Sequence, residues 1–256
     1  MKAVIRTDIG KIRSHNEDYA GVFFNKGEEM LAIVADGMGG HLAGDIASQM
    51  ASQLLQERWE KTEPLQKKEE AIEWFRNHLN QVNVKLFQHA KENPECTGMG
   101  TTIVAAIILD SFAVIAHVGD SRCYIANEKG IRLLTEDHSL VNELVKTGQI
   151  SKEDAEHHPR KNVLLRAMGT EERVEHDIVS VAFEKGNYLL LCSDGLSNKL
   201  SENQIQEIIL EEGKSLEEKA DLFIRLANEL GGEDNITLVM IENSQREKAG
   251  DENVDW

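Results

Sequence analysis

Residues 30–41 read MLAIVADGMGGH, an apolar run of strand length that ends on a carboxylate and a glycine loop. Asp-Gly is the commonest short hairpin signal, so Asp36 taken alone reads as a turn residue. A hairpin needs a second strand at once, however, and the chain continues instead as LAGDIASQMASQLLQERW, with Ala43, Ile46, Ala47, Met50, Ala51, Leu54 and Leu55 at helical spacing. Asp36 therefore stands at a strand–glycine loop–helix junction. The pattern recurs: FAVIAHV runs into Gly119-Asp120, YLLLCS runs into Asp194-Gly195, and ITLVMI is entered through Asp234-Asn235. Each acid alone is an ordinary turn or cap. In an antiparallel sheet, however, the C-terminal ends of some strands share an edge with the N-terminal ends of their neighbours, so all four can converge. Hard divalent cations such as Mg²⁺ take oxygen ligands from a few carboxylates and keep several waters. Gathered without cations, four carboxylates would repel one another.

A second polar knot, GKIRSHNED at 10–18, precedes the strand-like YAGVFF and brings Arg13, Glu17 and Asp18 to a strand start. It reads either as a solvated loop or as a phosphate grip, since the planar guanidinium fork suits phosphate oxygens. Beside a metal cluster such an arginine suggests a phosphate ester as substrate. A cysteine nucleophile is not expected: Cys96, Cys123 and Cys192 lie outside any phosphate-cradling loop, and Cys192 sits within an apolar run. His157 and His158 are neighbours whose side chains would point apart on a helix, which reads as solvated surface rather than a metal site.

The elements that must position these residues can be read from periodicity. Strands are expected at 19–24, 30–35, 103–109, 112–118, 123–126, 188–193 and 236–241, and helices at 42–59, 65–91, 202–212 and 216–230. The last two helices open on capping boxes, Ser201 with Gln204 and Ser215 with Glu218, and Gly213 and Gly231 stand where they would stop. Runs of strands alternate with pairs of helices, which argues against a regular βαβ sheet and for a layered α+β fold of mostly antiparallel strands with helices outside.

Composition narrows the function. With 45 acidic against 28 basic residues and a formal charge of −17, the chain is a poor partner for nucleic acid. No apolar run approaches the roughly 20 residues of a membrane span. The N-terminus lacks the apolar core of a secretory signal, and three scattered cysteines fit a reducing, cytoplasmic setting. The closing NSQREKAGDENVDW is polar and aperiodic, so 243–256 reads as a disordered tail.

Eight short segments, GKIRSHNEDYA, ADGMGGH, GMGTTIVAA, AHVGDSRCY, LTEDHSLV, NVLLRAMG, LLLCSDGLSN and GGEDNITLVMI, occur in the order and approximate spacing of the bacterial type 2C (PPM family) metal-dependent serine/threonine protein phosphatases, which the chain resembles over roughly residues 1–241. The resemblance implies a four-layer αββα sandwich of two antiparallel sheets flanked by helices. It implies a catalytic domain at 1–242 with a mobile flap at about 135–168. Asp36 and the carbonyl of Gly37 match metal ligands, Asp36 bridging two ions. Asp194 and Asp234 match the other acids of the first ion, and Asp120 matches an acid that joins Asp194 on a weaker third. Glu17 and Asp18 match acids that hold metal-bound waters, and Arg13 matches the phosphate clamp. Thr101, Thr102, Ser121 and Arg122 look like structural parts of the motifs.

The implied reaction is hydrolysis of phosphoserine and phosphothreonine in signalling proteins, opposing a bacterial serine/threonine kinase. Two Mn²⁺ or Mg²⁺ ions about 3.5 to 4 Å apart would share a water and bring its pKa from ~15.7 toward neutrality. Animal relatives carry a histidine directly after the Asp-Gly pair, where this chain has Met38. His41 is therefore open to three readings: general acid, loop residue or neither. Two alternative functions stand beside this one: a phosphatase dedicated to an anti-sigma-factor antagonist, and a non-catalytic regulatory relative, which would be expected to lack one or more metal acids.

Overall fold

The computed structural model describes residues 1–39 and 43–244. From the N-terminus, β1 (Lys2–Asp8), β2 (Asp18–Phe24) and β3 (Met30–Met38) lead into α1 (Ala43–Trp59) and α2 (Lys68–Glu92). Next come β4 (Gly100–Thr101), β5 (Ile103–Ile108), β6 (Phe112–Val118), β7 (Arg122–Asn127) and β8 (Gly130–Leu133), then the short helices α3 (Leu140–Lys146) and α4 (Lys152–Glu156). The chain finishes with β9 (Asp177–Ala182), β10 (Tyr188–Cys192), α5 (Asp194–Ser197), α6 (Glu202–Leu210), α7 (Leu216–Glu229) and β11 (Ile236–Glu242).

Two antiparallel sheets result, one ordered β1-β11-β10-β7-β8 and the other β2-β3-β5-β6-β9, with β4 paired to β3. Strand alternation assigns each face. Ala32 and Val34 of β3 meet Leu189 and Leu191 of β10 and Val239 and Ile241 of β11 between the sheets. Leu31 and Ile33 face the other way, into a core shared with Leu55, Trp59, Phe75, Leu79 and Leu86 of α1 and α2. On the opposite side Leu190, Leu238 and Met240 pack against Ile205, Ile209, Ala220 and Phe223 of α6 and α7. The order helix, sheet, sheet, helix is the α+β sandwich expected.

The strands and long helices read from periodicity are present, with ends shifted by a few residues. Four strands were not anticipated: β1, β4, β8 and β9. Three of these are sheet edges, where one side faces solvent and the apolar pattern is thin. The expectation for His41 lies outside the described residues; of the tail expected disordered at 243–256, Asn243 is instead buried, its N–H on Asn187 O at 3.0 Å and its Nδ2 on Phe183 O at 2.8 Å, and residues 245–256 lie outside the described residues. Between β8 and β9 the chain forms a lobe closed at its base: Ser139 pairs with Leu164, and Leu165 N–H donates to His138 O at 2.8 Å. A few residues on, Met168 bridges to Thr101 of β4, N–H to O in both directions at 2.8 and 3.0 Å.

Both capping boxes are formed, Ser201 with Gln204 on α6 and Ser215 with Glu218 on α7. Ser215 lies far from the acid junctions and its hydroxyl takes the Glu218 N–H at 3.2 Å. Ser215→Ala should therefore cost about 1 kcal/mol and lower the Tm by about 2–4 °C. Thermal unfolding checks the shift, and turnover at 25 °C should be unchanged.

Candidate metal centre

The antiparallel registers place the acids. Val118 at the end of β6 pairs with Ile103 at the start of β5, and Asp36 near the end of β3 pairs with Asp18 at the start of β2. In the other sheet Cys192 at the end of β10 lies opposite Leu238, near the start of β11, and Arg122 at the start of β7. The turn from β6 to β7 passes from one sheet to the other and carries Asp120. Asp18, Asp36, Asp120, Asp194 and Asp234 thus share one edge of the sandwich, and each of Asp18, Asp36, Asp120 and Asp194 feels the charge of at least one of the others.

Local hydrogen bonds fix each position. Asp36 N–H donates to Thr102 Oγ1 at 3.0 Å, and Asp36 O accepts from Thr102 N–H at 2.8 Å and Thr101 Oγ1 at 3.0 Å. Thr102 Oγ1 also shares a proton with Ser121 Oγ at 2.7 Å, joining the Asp36 strand end to the Asp120 turn. Gly37 has no room for a side chain: a Cβ there would stand 2.1 Å from Gly44 O and 2.6 Å from Glu17 O. The crowding comes from the start of α1 and from the Glu17 loop, whose carbonyl accepts Gly37 N–H at 3.1 Å and Ser48 Oγ at 2.6 Å. Gly195 is as tight, since its Cβ would lie 1.9 Å from Asn235 O. That contact seats α5, and with it Asp194, against the loop of Asp234.

Three residues given no role from the sequence complete the frame. Ser193 Oγ donates to Asp18 Oδ2 at 2.8 Å and accepts Thr237 N–H at 3.0 Å. Asn198 Nδ2 donates to Asp194 Oδ2 at 3.0 Å. Asn235 accepts Glu17 N–H at 2.8 Å and donates to the carbonyls of Ile9 and His15 at 2.9 and 3.0 Å, so it organises the loop of Arg13 and Glu17. Nothing near Asn235 in the sequence signals this, because the partners are more than 200 residues away. Arg13 Nη2 lies 2.7 Å from Asp234 Oδ2, and its Nε reaches Glu233 O at 3.4 Å. His157 and His158 stay on the lobe, away from the acids and outside the groups of metal-ligating type among the described residues.

Burial and mutual repulsion distort the acids. Asp36 is pushed well above the usual carboxylate range, first by burial and then by the charges of Asp18, Asp194, Asp120 and Asp234. Burial, then neighbouring acids, hold Asp18 and Asp120 up at about 7 and Asp194 at about 6. Burial also raises Glu17, with Arg13 opposing. Asp194 Oδ1 is a buried oxygen without a protein hydrogen-bond partner. An orphaned carboxylate oxygen inside a cluster of acids fits a hard divalent cation, which supplies the charge and the ligand vacancy that the protein leaves unmet.

A two-sheet sandwich that gathers partly buried acids at one edge, with an arginine beside them, has the chemistry to hold divalent cations and an anionic ester. The protein phosphatase 2C family model matches residues 11–234. The chain is 52% identical over 251 residues to a serine/threonine phosphatase stp of Listeria welshimeri, covering 98% of this chain and 99% of that one. It is 39% identical over 247 residues to protein phosphatase PhpP of Streptococcus pneumoniae, covering 96% and 99%. The crystal structure of serine/threonine phosphatase Stp1 from Staphylococcus aureus superposes with a TM-score of 0.89 at 40% identity, covering 93% of each chain. The chain belongs to the protein phosphatase 2C family, and it is a hydrolase of phosphoserine and phosphothreonine in proteins. The family is metal-dependent. Among the described residues no helix is long and apolar enough to cross a membrane.

The raised acids give a pH signature to the metal-free protein. Below about pH 4 these groups are protonated both folded and unfolded, so folding is not penalised. Between about pH 4, where the unfolded acids ionise, and about pH 6 to 7, where the folded ones do, the unfolded chain holds fewer protons and stability falls as pH rises. Chelated protein should therefore melt at lower temperature at pH 8 than at pH 5. Mn²⁺ should raise the Tm more at pH 8, where it binds acids already ionised. Thermal scans at the two pH values, with and without chelator, check both signs.

Proposed function

We propose that Asp36, Asp194, Asp234 and the Gly37 carbonyl hold two divalent cations, Mn²⁺ or Mg²⁺, and that Asp120 joins Asp194 on a third, weaker one. The orphaned Asp194 Oδ1, buried among acids that would otherwise repel, carries this reading. Such cations, when bound, lower the pKa of water toward neutrality and offset the charge of a phosphate ester. Glu17 and Asp18, one peptide apart and both raised by burial, hold water in the cluster. Asp18 also fixes the Asp194 turn through Ser193.

Arg13 grips the phosphate. Its guanidinium spends Nη2 on Asp234 and Nε on Glu233 O, leaving Nη1 without a partner among the described residues. The side chain is half exposed, so the free edge of the fork is open to an incoming anion. Residues 1–242 form the catalytic domain, and the lobe within 135–168, closed at its base by the Ser139–Leu164 pair, is its flap. The substrates are phosphoproteins of a cytoplasmic pathway governed by a serine/threonine kinase. The relatives' names, serine/threonine phosphatase and protein phosphatase, favour this general role over service to a single anti-sigma-factor antagonist. A non-catalytic role is disfavoured because the sequence retains Asp36, Asp120, Asp194 and Asp234, the acids proposed as ligands.

Hydrolysis of an aryl phosphate and of a phosphothreonine peptide should vanish in chelator and return with Mn²⁺. Asp36→Asn and Asp194→Asn should each remove activity at saturating metal while the circular dichroism stays native. Full turnover by either variant, or in chelator, would overturn the reading.

Arg13→Ala removes a charge-assisted bond worth roughly 1.5–3 kcal/mol, so kcat/KM should fall about ten- to 150-fold. Because Arg13 and a cation compete for Asp234 Oδ2, calorimetry should show metal binding by Arg13→Ala no weaker than by the parent.

A further inference from the structure

Residues 134–138 run alongside the 117–123 turn that carries Asp120 and are bonded to it at each step. Leu134 N–H donates to Cys123 O at 2.8 Å, Cys123 N–H to Thr135 Oγ1 at 3.1 Å, and Arg122 grips Asp137 through two bonds of 2.9 and 2.7 Å. His138 bonds Gly119 twice. Its N–H donates to Gly119 O at 3.0 Å, and its buried Nδ1 accepts Gly119 N–H at 3.1 Å. A neutral imidazole that accepts at Nδ1 carries its proton on Nε2. That nitrogen lies 3.2 Å from Asp177 Oδ2, and Asp177 in turn lies 3.6 Å from Arg166 Nη1.

Gly119 is held from its other side as well. Its φ is +104°, and a Cβ there would lie 2.6 Å from the Thr102 methyl. The backbone that presents Asp120 is therefore pinned between Thr102, which also fixes Asp36, and the His138 ring. His138 is also where the 139–164 lobe is rooted, since its carbonyl takes Leu165 N–H and the next residue, Ser139, caps α3.

His117, His138 and Asp177 bring atoms of metal-ligating type within 4.8 Å of one another, yet the geometry opposes a metal there. The two imidazoles stack with centroids 4.7 Å apart and planes 17° apart, so their in-plane lone pairs run side by side instead of converging. Arg166 Nη1, 3.4 Å from His138 Nε2 and close to Asp177, already supplies a positive charge.

We infer that His138 is a positioning residue: oriented by Asp177, it holds the Gly119–Asp120 backbone through Nδ1 and ties the base of the 139–164 lobe to the acid of the outer cation. This rests on the reading of Asp120 as a ligand of that cation. His138 touches no reacting atom; its effect passes through the Gly119 peptide.

The test compares side chains that keep one bond each. In His138→Asn, Oδ1 takes the place of Nδ1 and keeps the Gly119 acceptor. In His138→Gln, the terminal amide reaches toward Asp177 and the Gly119 acceptor is lost. Steady-state hydrolysis of an aryl phosphate is measured against Mn²⁺ concentration for the parent, for both variants, for Asp120→Asn and for His138→Gln/Asp120→Asn, with Tm recorded for each. His138→Gln should lose about three- to tenfold in kcat and need more Mn²⁺ for half-maximal rate, with KM little changed. His138→Asn should stay within about twofold of the parent. In the Asp120→Asn background, His138→Gln should have no further effect on kcat. Three results would overturn the inference: equal kcat for the Asn and Gln variants, a lower Tm with normal kcat in His138→Gln, or a full additional loss in the double variant. Normal turnover by Asp120→Asn alone would overturn the reading of Asp120 and this inference with it, and that single variant tells the two failures apart.

Discussion

Everything at the edge of this sandwich depends on one electrostatic constraint: carboxylates taken out of water and set beside each other. Burial disfavours each charge, and each neighbour disfavours the next, so Asp36, which feels four other acids, is driven well above its ordinary range. Positive side chains relieve only part of this: Arg13, in contact with Asp234, and Arg122 pull Asp194 down and Arg122 pulls Asp120 down, yet both acids stay raised. That is why the surrounding backbone is so heavily bonded: repelling groups stay together only where something else fixes their positions.

The fixing is done by small polar side chains and by missing ones. Thr102 takes the amide of Asp36 and shares a proton with Ser121. Ser193 links Asp18 to the strand end before Asp194. Gly37 and Gly195 bring backbone into contact where even a methyl group would collide. Each of these contacts joins two strand ends or a strand end to a helix start, so the site is defined by the close packing of the sandwich rather than by any one loop.

The sequence was informative where chemistry was local. An apolar run that stops on an acid and yields to a helix is visible in six to twenty residues, which is why Asp36 and Asp194 could be read as junctions. Capping boxes are three residues long, and both proved formed. Edge strands were harder: β9 buries only Val181 and leaves Asp177 and Ala182, on opposite faces, exposed, and β1 alternates as weakly. The bonds of Asn235 to residues 9, 15 and 17 and the bond of His138 to Asp177 have no local trace at all. The resemblance to a known family supplied the acids' roles, while the orphaned Asp194 oxygen and the Arg13–Asp234 pair came only from the coordinates.

The order of strands in the first sheet bears on how the protein is made. Strand β11, the last element among the described residues, lies between β1, the first, and β10. During synthesis the opening strand emerges more than 200 residues before the one beside it, and until then its hydrogen-bonding edge has no mate. Asp234 arrives in the same late stretch, so a nascent chain on the ribosome holds most of the acids without the strand that closes the sheet around them. The strand that closes the sheet and the acid that leads into it thus leave the ribosome together.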